Sequence, residues 1–200
     1  MTETLDYTVE QKEGSFEIRK YNDYILAQVD IGASFDKAIR KGFMILAGYI
    51  FGGNLKRSKI AMTAPVVEEK ISEKIEMTTP VTAETVGNSE KIAMTTPVTE
   101  EKVEDNFQRI SFAMPSKYTM DTLPKPNDKR IHFKEFKGQK TAVLRFKGRV
   151  KEKIATEKIE ELKKWLSKNQ IKPRSRFMVA QYNHPAVPGF LRRNEIIVEI

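Results

Sequence analysis

One order of elements is written twice in this chain, 117 residues apart. Apolar alternation marks a strand at Phe16, Ile18 and Tyr21, a second from Tyr24 to Ile31 (YILAQVDI), then a helix and a strand at Lys59. The second copy runs from Ile131 to Phe136 (IHFKEF), turns at Lys137, Gly138 and Gln139, and continues as Lys140 to Gly148 (KTAVLRFKG). A helix follows, then strands at Phe177 to Asn183 and Glu195 to Ile200. Ala27 and Val29 correspond to Leu144 and Phe146 at that spacing. The pattern is that of a duplicated strand, strand, helix, strand unit, with halves of about 16–115 and 130–200 inside one domain spanning 1–200. A chain of 200 residues buries roughly 70% of its unfolded surface, enough for a core without staples.

The helices carry boundary signals. Ser34 stands where a cap is needed, Asp36 suits the positive end, and Phe35, Ala38, Ile39, Phe43, Leu46, Ala47 and Ile50 form one stripe before Gly52, Gly53 and Asn54. The second helix is predicted from about Val150 to Lys168, burying Ile154, Ala155, Ile159, Leu162, Trp165 and Leu166 under a Lys/Glu face, with Asn169 and Pro173 closing it. Each helix should pack on one face of a strongly curved antiparallel sheet, an α+β arrangement. Gly42 and Gly48 inside the first helix each weaken it by about 1 kcal/mol relative to Ala, so a close neighbour is expected there, and a packed strand is the simplest one.

Three octapeptides, KIAMTAPV from Lys59, KIEMTTPV from Lys74 and KIAMTTPV from Lys91, follow each other at spacings of 15 and 17 residues. They read as short strands whose ladder ends at Pro, with Met62, Met77 and Met94 as pliable core residues rather than a shared ligand surface.

No cysteine is present, which excludes disulfides, thiolate metal sites and cysteine nucleophiles. No apolar run is long enough to span a membrane and Met1 to Asp6 lacks a signal-peptide pattern, so a cytoplasmic protein is expected. The formal net charge of +8 invites a nucleic-acid reading, but lysine alternates with glutamate through Lys151 to Lys168 and no basic run is interleaved with aromatics. Neither nucleic acid nor membrane is an expected partner, and a monomer is the simplest state.

The combination of KIAMTAPV and KIAMTTPV with FAMPSKYTMDTLPKPND (Phe112 to Asp128), AVLRFKG (Ala142 to Gly148) and FLRRNEIIVEI (Phe190 to Ile200) closely resembles the SOUL haem-binding protein family, over about Phe16 to Ile200. The resemblance implies a pseudo-symmetric, twisted antiparallel β-barrel or sheet, built from duplicated βαβ-type halves and flanked by two helices. It also implies non-covalent binding of haem or porphyrin in a shallow hydrophobic groove. Carried onto this chain, the groove comprises Arg40, Phe43, Met44 and Ala47 on the first helix and His184, Val187 and Phe190 in the loop before the last strand. Arg40 would meet a propionate while the apolar residues cover the macrocycle. The fold is also similar to gyrase-inhibitor-like effector-binding domains, which hold small amphipathic molecules.

This chain departs from the family pattern in ways that speak against strong axial ligation. Phe43 and Ala47 stand where one branch has methionine, Val187 replaces a cationic residue, and Lys20 lies where another branch has its histidine ligand. Of the two histidines, His132 sits in a strand and His184 in a loop beside Pro185. Catalytic and metal-binding motifs are missing from the sequence, so an enzyme is not expected. Two other readings stand beside tetrapyrrole binding: another amphipathic or cationic small molecule held near Glu195, and a protein-interaction module using the same apolar groove.

Overall fold

The computed structural model describes residues 4–55, 91–92, 97–104, 107–183 and 186–200. The elements run β1 (Tyr7–Glu13), β2 (Phe16–Tyr21), β3 (Tyr24–Gly32), α1 (Phe35–Ile50), β4 (Asn54–Leu55), β5 (Val98–Glu104), β6 (Phe107–Ala113), β7 (Lys125–Pro126), β8 (His132–Phe136), β9 (Lys140–Lys147), α2 (Glu152–Lys168), β10 (Met178–Gln181), a 3-10 turn (Gly189–Leu191) and β11 (Arg193–Glu199). Nine strands form one sheet in the order β1-β2-β9-β11-β10-β5-β6-β3-β8, and β4 pairs with β7 apart from it. Every pairing is antiparallel.

Short connections force this sheet to curl. β2 and β3 are joined only through Asn22 and Asp23, yet they lie six places apart in the sheet. A flat sheet with strands roughly 4.8 Å apart would separate them by about 29 Å, whereas three peptide steps reach at most about 11 Å. The same argument holds for β8 and β9, joined through Lys137 to Gln139 and again six places apart. Tyr21 and Tyr24 consequently touch edge to face, their ring centroids 5.9 Å apart, and the Tyr24 hydroxyl donates to Gln139 Oε1 at 3.1 Å. One cavity on the concave face is lined together by Gln28 and Arg109 from one side of the sheet and by Thr141 and Glu199 from the other.

With the concave face closed in this way, both helices lie on the convex face. α1 packs on β3 and β6, and α2 on β9 and β11. Under α1 lie Ile25, Ala27, Val29, Leu46, Ile50, Ile110 and Phe112. Under α2 lie Ile18, Ala142, Leu144, Leu162, Leu166, Ile196 and Val198, together with Phe35 from the start of α1. Ile39 packs against both groups, so the two cores meet beneath the first turns of α1. Trp165 anchors α2, stacking on Phe16 at 5.1 Å and donating from Nε1 to Glu13 Oε2 at 2.8 Å.

The expected α+β architecture is present, and α2 begins 117 residues after α1, the spacing read from the sequence. Leaving β1 aside, the sheet order is symmetric about the β10–β5 pair: β2, β9, β11, β10 on one side answer β8, β3, β6, β5 on the other. Local details differ from expectation. Ser34 occupies the N-cap of α1 without a side-chain capping bond, and α2 starts at Glu152 rather than Val150. β1, β5 and β6 were not foreseen, because charged residues crowd YTVEQKE and VTEEKVE and polar residues interrupt the apolar ones in FQRISFA. The strand at Lys59 and the residues Met62, Met77 and Met94 lie outside the described residues. In the third octapeptide, Ile92 is buried in the α1 core and donates its amide to Ile50 O at 2.7 Å. Pro97 there immediately precedes β5, a position where its missing amide removes no pairing in that strand, and the rest of that expected strand, residues 93–96, lies outside the described residues.

The two helix glycines have different environments. A Cβ on Gly42 would lie 2.4 Å from Ile110 Cγ1, so the helix needs glycine to approach β6. A Cβ on Gly48 would meet nothing within 4 Å among the described residues. Gly42→Ala should therefore destabilise the protein by about 1–3 kcal/mol through overpacking, while Gly48→Ala should stabilise it by up to about 1 kcal/mol. Urea unfolding of the two variants checks this, and equal effects would disprove the assignment of Gly42 to close packing.

Candidate functional site

The exposed side of α1 is a ridge. Arg40, Met44, Gly48 and Phe51 follow at intervals of four, four and three residues, so all four fall on one face. Arg40 is exposed, Met44 is 66% and Phe51 63% exposed, and the missing side chain at Gly48 leaves a flat apolar saddle between them. Phe43 lies deeper, half-buried, its ring edge to face with Phe112 at 5.3 Å. Ala47 is buried in the contact of α1 with the sheet. Of the four helix residues named from the sequence, Arg40 and Met44 are therefore open to a ligand, Phe43 supports the surface and Ala47 belongs to the core. Gly48 and Phe51 were missed as surface residues, although the same 3.6-residue period that marked the buried stripe also marks its opposite face.

The loop residues belong to the other half of the sheet. Phe190 is 72% and Leu191 58% exposed on the 3-10 turn. Val187 is half-buried and its carbonyl accepts a hydrogen bond from Arg192 Nε at 2.8 Å. Gly189 backs onto Arg149, and Asn194 Nδ2 donates to Gly148 O at 2.9 Å, which ties the turn to the end of β9. His184 lies outside the described residues, and His132 is exposed on β8.

Glu195 has a structural role. It is fully buried on the concave face, where Arg19, also fully buried, donates to both carboxylate oxygens at 2.9 Å. Tyr182 donates at 2.6 Å and Arg193 at 2.7 Å. Burial by itself would push this carboxyl up, but the Arg19 guanidinium and the Tyr182 and Arg193 donors hold it below the usual carboxylate range. Arg19 is further held by Glu17 Oε2 at 2.8 Å and stacks over the Tyr7 ring at 4.1 Å. Glu195 thus has the arginine pairing usual for such a residue, and its oxygens are committed to these donors rather than open to the cationic ligand weighed as an alternative. A cavity of about 420 Å³ opens beside this network. Two of its cations, Lys12 and Arg145, are paired with Glu17.

Among the described residues, the buried carboxyl group without a hydrogen-bond partner is Glu100. It lies at the centre of the convex face, opposite Ile110 on β6 and Val179 on β10 in the ladders, and is only 3% exposed. Neither of its carboxylate oxygens has a hydrogen-bond partner among the described residues. Burial, reinforced by Asp36 and Glu152, pushes its pKa up to about 8. Nothing in VTEEKVE distinguishes this glutamate from Glu101. Only the alternation of the strand, combined with the two helices above it, separates them.

Comparison with known proteins follows the fold. The model of the family described as SOUL heme-binding protein matches residues 2–199. The chain belongs to the SOUL heme-binding protein family. Among solved structures it is similar to the EcmrR C-terminal domain, with 10% identity, a TM-score of 0.59 and 96% of each chain covered. A hydrolase from Listeria innocua is also similar, with 12% identity, a TM-score of 0.50, and 94% of this chain and 93% of that one covered. At such identities these likenesses concern the fold alone. No curated protein matches. For this SOUL protein, no helix among the described residues is long and apolar enough to cross a membrane, and no three His, Asp or Glu side chains among them are grouped to hold a metal ion.

The two buried glutamates should respond oppositely to neutralisation. Glu195→Gln strands the charge of Arg19 and should destabilise the fold by about 3–5 kcal/mol. Glu100 holds its proton more tightly folded than unfolded, so its contribution is greatest below its ordinary value of 4.5 and is lost as pH rises to about 8. Glu100→Gln should flatten the decline of stability between those two pH values and be more stable than the parent at pH 9. Denaturant midpoints measured across that range test both, and a Glu100→Gln profile parallel to the parent would contradict the reading.

Proposed function

We propose that the chain binds a haem or related tetrapyrrole non-covalently on the outer ridge of α1. The observation that carries this reading is the saddle at Gly48, flanked by Met44 and Phe51 with Arg40 one turn away. No described residue packs against the helical glycine, and the flat apolar area it leaves suits one face of a macrocycle. Arg40 is placed along the helix to meet a propionate, and Phe43 stiffens the floor from below. Val187 and Phe190, on the turn before β11, supply a second contact in this proposal. Family membership supports the ligand class, since the family is described as haem-binding.

Macrocycle contact rather than iron ligation should dominate. A few hundred square ångströms of porphyrin buried at roughly 25 cal/mol per square ångström, less the cost of association, corresponds to micromolar affinity. Haemin and iron-free protoporphyrin should bind within about tenfold of each other. Arg40→Glu should weaken both by about 1–3 kcal/mol, and Gly48→Ala should also weaken both, although it stabilises the free protein. His184→Ala should change little. Fluorescence quenching and absorbance titrations provide the measurement. Loss of haemin binding alone in His184→Ala would place the iron on that histidine and overturn the proposal.

A further inference from the structure

The two helices leave a cleft between them on the convex face, and Glu100 is at its floor. Phe35 at the start of α1, Ala155 and Ile159 on α2, and Phe177 and Val179 beside β10 line it, enclosing about 90 Å³. Lys102, Gln108, Glu152 and Thr156 complete the lining, and the floor is a carboxyl group whose two oxygens have no partner among the described residues. Folded proteins rarely leave such a group without a donor, because a buried unmatched carboxylate is destabilising.

From this geometry we infer that the cleft between α1 and α2 is a binding site for a small organic cation that carries N–H donors on an apolar body, with Glu100 as its counter-ion. The charges around the floor favour a cation. Asp36 comes from α1 and Glu152 from α2, and both act on Glu100. Lys102, the next residue of β5 on the same face, also borders the cleft, so among the described residues three carboxyl groups stand beside one ammonium. The remaining wall positions from β6 and β10 carry no charge, Gln108 being polar and Phe177 and Val179 apolar. A bare metal ion fits poorly, since the described residues offer no group of three ligands. The apolar side chains of the lining instead suit an aryl or alkyl body, and an amidinium or ammonium head would satisfy both orphan oxygens. The volume is too small for a macrocycle, and the site shares no residue with the α1 ridge. The inference is thus independent of the tetrapyrrole reading, and either can fail alone.

Benzamidine is a suitable probe: its head presents parallel N–H donors and remains charged over the range of interest, and benzamide is a neutral analogue of the same shape. In calorimetric titrations of the full chain, benzamidine should bind and benzamide should bind at least tenfold more weakly. Glu100 must lose its proton to act as the counter-ion, so affinity should rise with pH and level off above about 8. Between pH 9 and pH 6 it should fall by roughly a hundredfold. Glu100→Gln should weaken benzamidine at least tenfold at pH 9 and remove the pH dependence. Thr156→Trp, which fills the cleft from the exposed side of α2 without touching the carboxyl group, should block binding as well, so the test does not rest on one variant. Haemin titration should be unaltered by Glu100→Gln. No benzamidine binding at millimolar concentration, equal binding of benzamide, or a pH profile unchanged by Glu100→Gln would each overturn the assignment.

Discussion

Two short links, Asn22–Asp23 and Lys137–Gln139, set the form of this protein. Each joins strands that are six places apart in the sheet, so neither can be satisfied unless the sheet bends back on itself. The ladders that result, β2 with β9 and β3 with β8, pair the leading strand of each half with the second strand of the other. Separating the halves would break both ladders at once. The helices then have only the convex face to cover, and they meet where Phe35 and Ile39 of α1 reach the core under α2.

The same curvature accounts for the fates of two buried glutamates. On the concave face, Arg19 reaches Glu195 from β2, two strands away, and Arg193 reaches it from two residues earlier on β11. Desolvation is offset there by charge-assisted hydrogen bonds with good geometry, and the carboxyl stays ionised. On the convex face the neighbours of Glu100 are helix side chains rather than strand arginines, and no donor arrives from the described residues. Desolvation then prevails and the acid holds its proton. Burial alone does not assign a role to a charged residue. What decides is whether the fold brings a partner to the same face.

The α1 glycines illustrate a similar division between structure and function. Gly42 is required by the fold, because Ile110 occupies the space a side chain would take. Gly48 has no such neighbour among the described residues, and in the proposed reading the gap serves a ligand. A residue that weakens the free protein while shaping a binding surface is a familiar compromise between stability and activity.

The sequence by itself determined the α+β class, the two helices and the spacing between the halves, because periodicity and capping residues are local properties of a chain. It also carried the family resemblance and, on the helix, Arg40 and Met44 as accessible residues. Its helical period put Ala47 in the buried stripe, where the structure has it, while the resemblance put the same residue in the groove. The sequence pointed to Glu195 rather than Glu100, since pairing with Arg19, 176 residues away in the chain, leaves no local mark. β5 and β6 escaped notice because a strand whose two faces both receive polar residues shows no apolar alternation. Only the tertiary structure decided which carboxyl group found a partner, which glycine was packed and which stood open, and where the two helices left a cleft, because each depends on contacts created when the sheet curls.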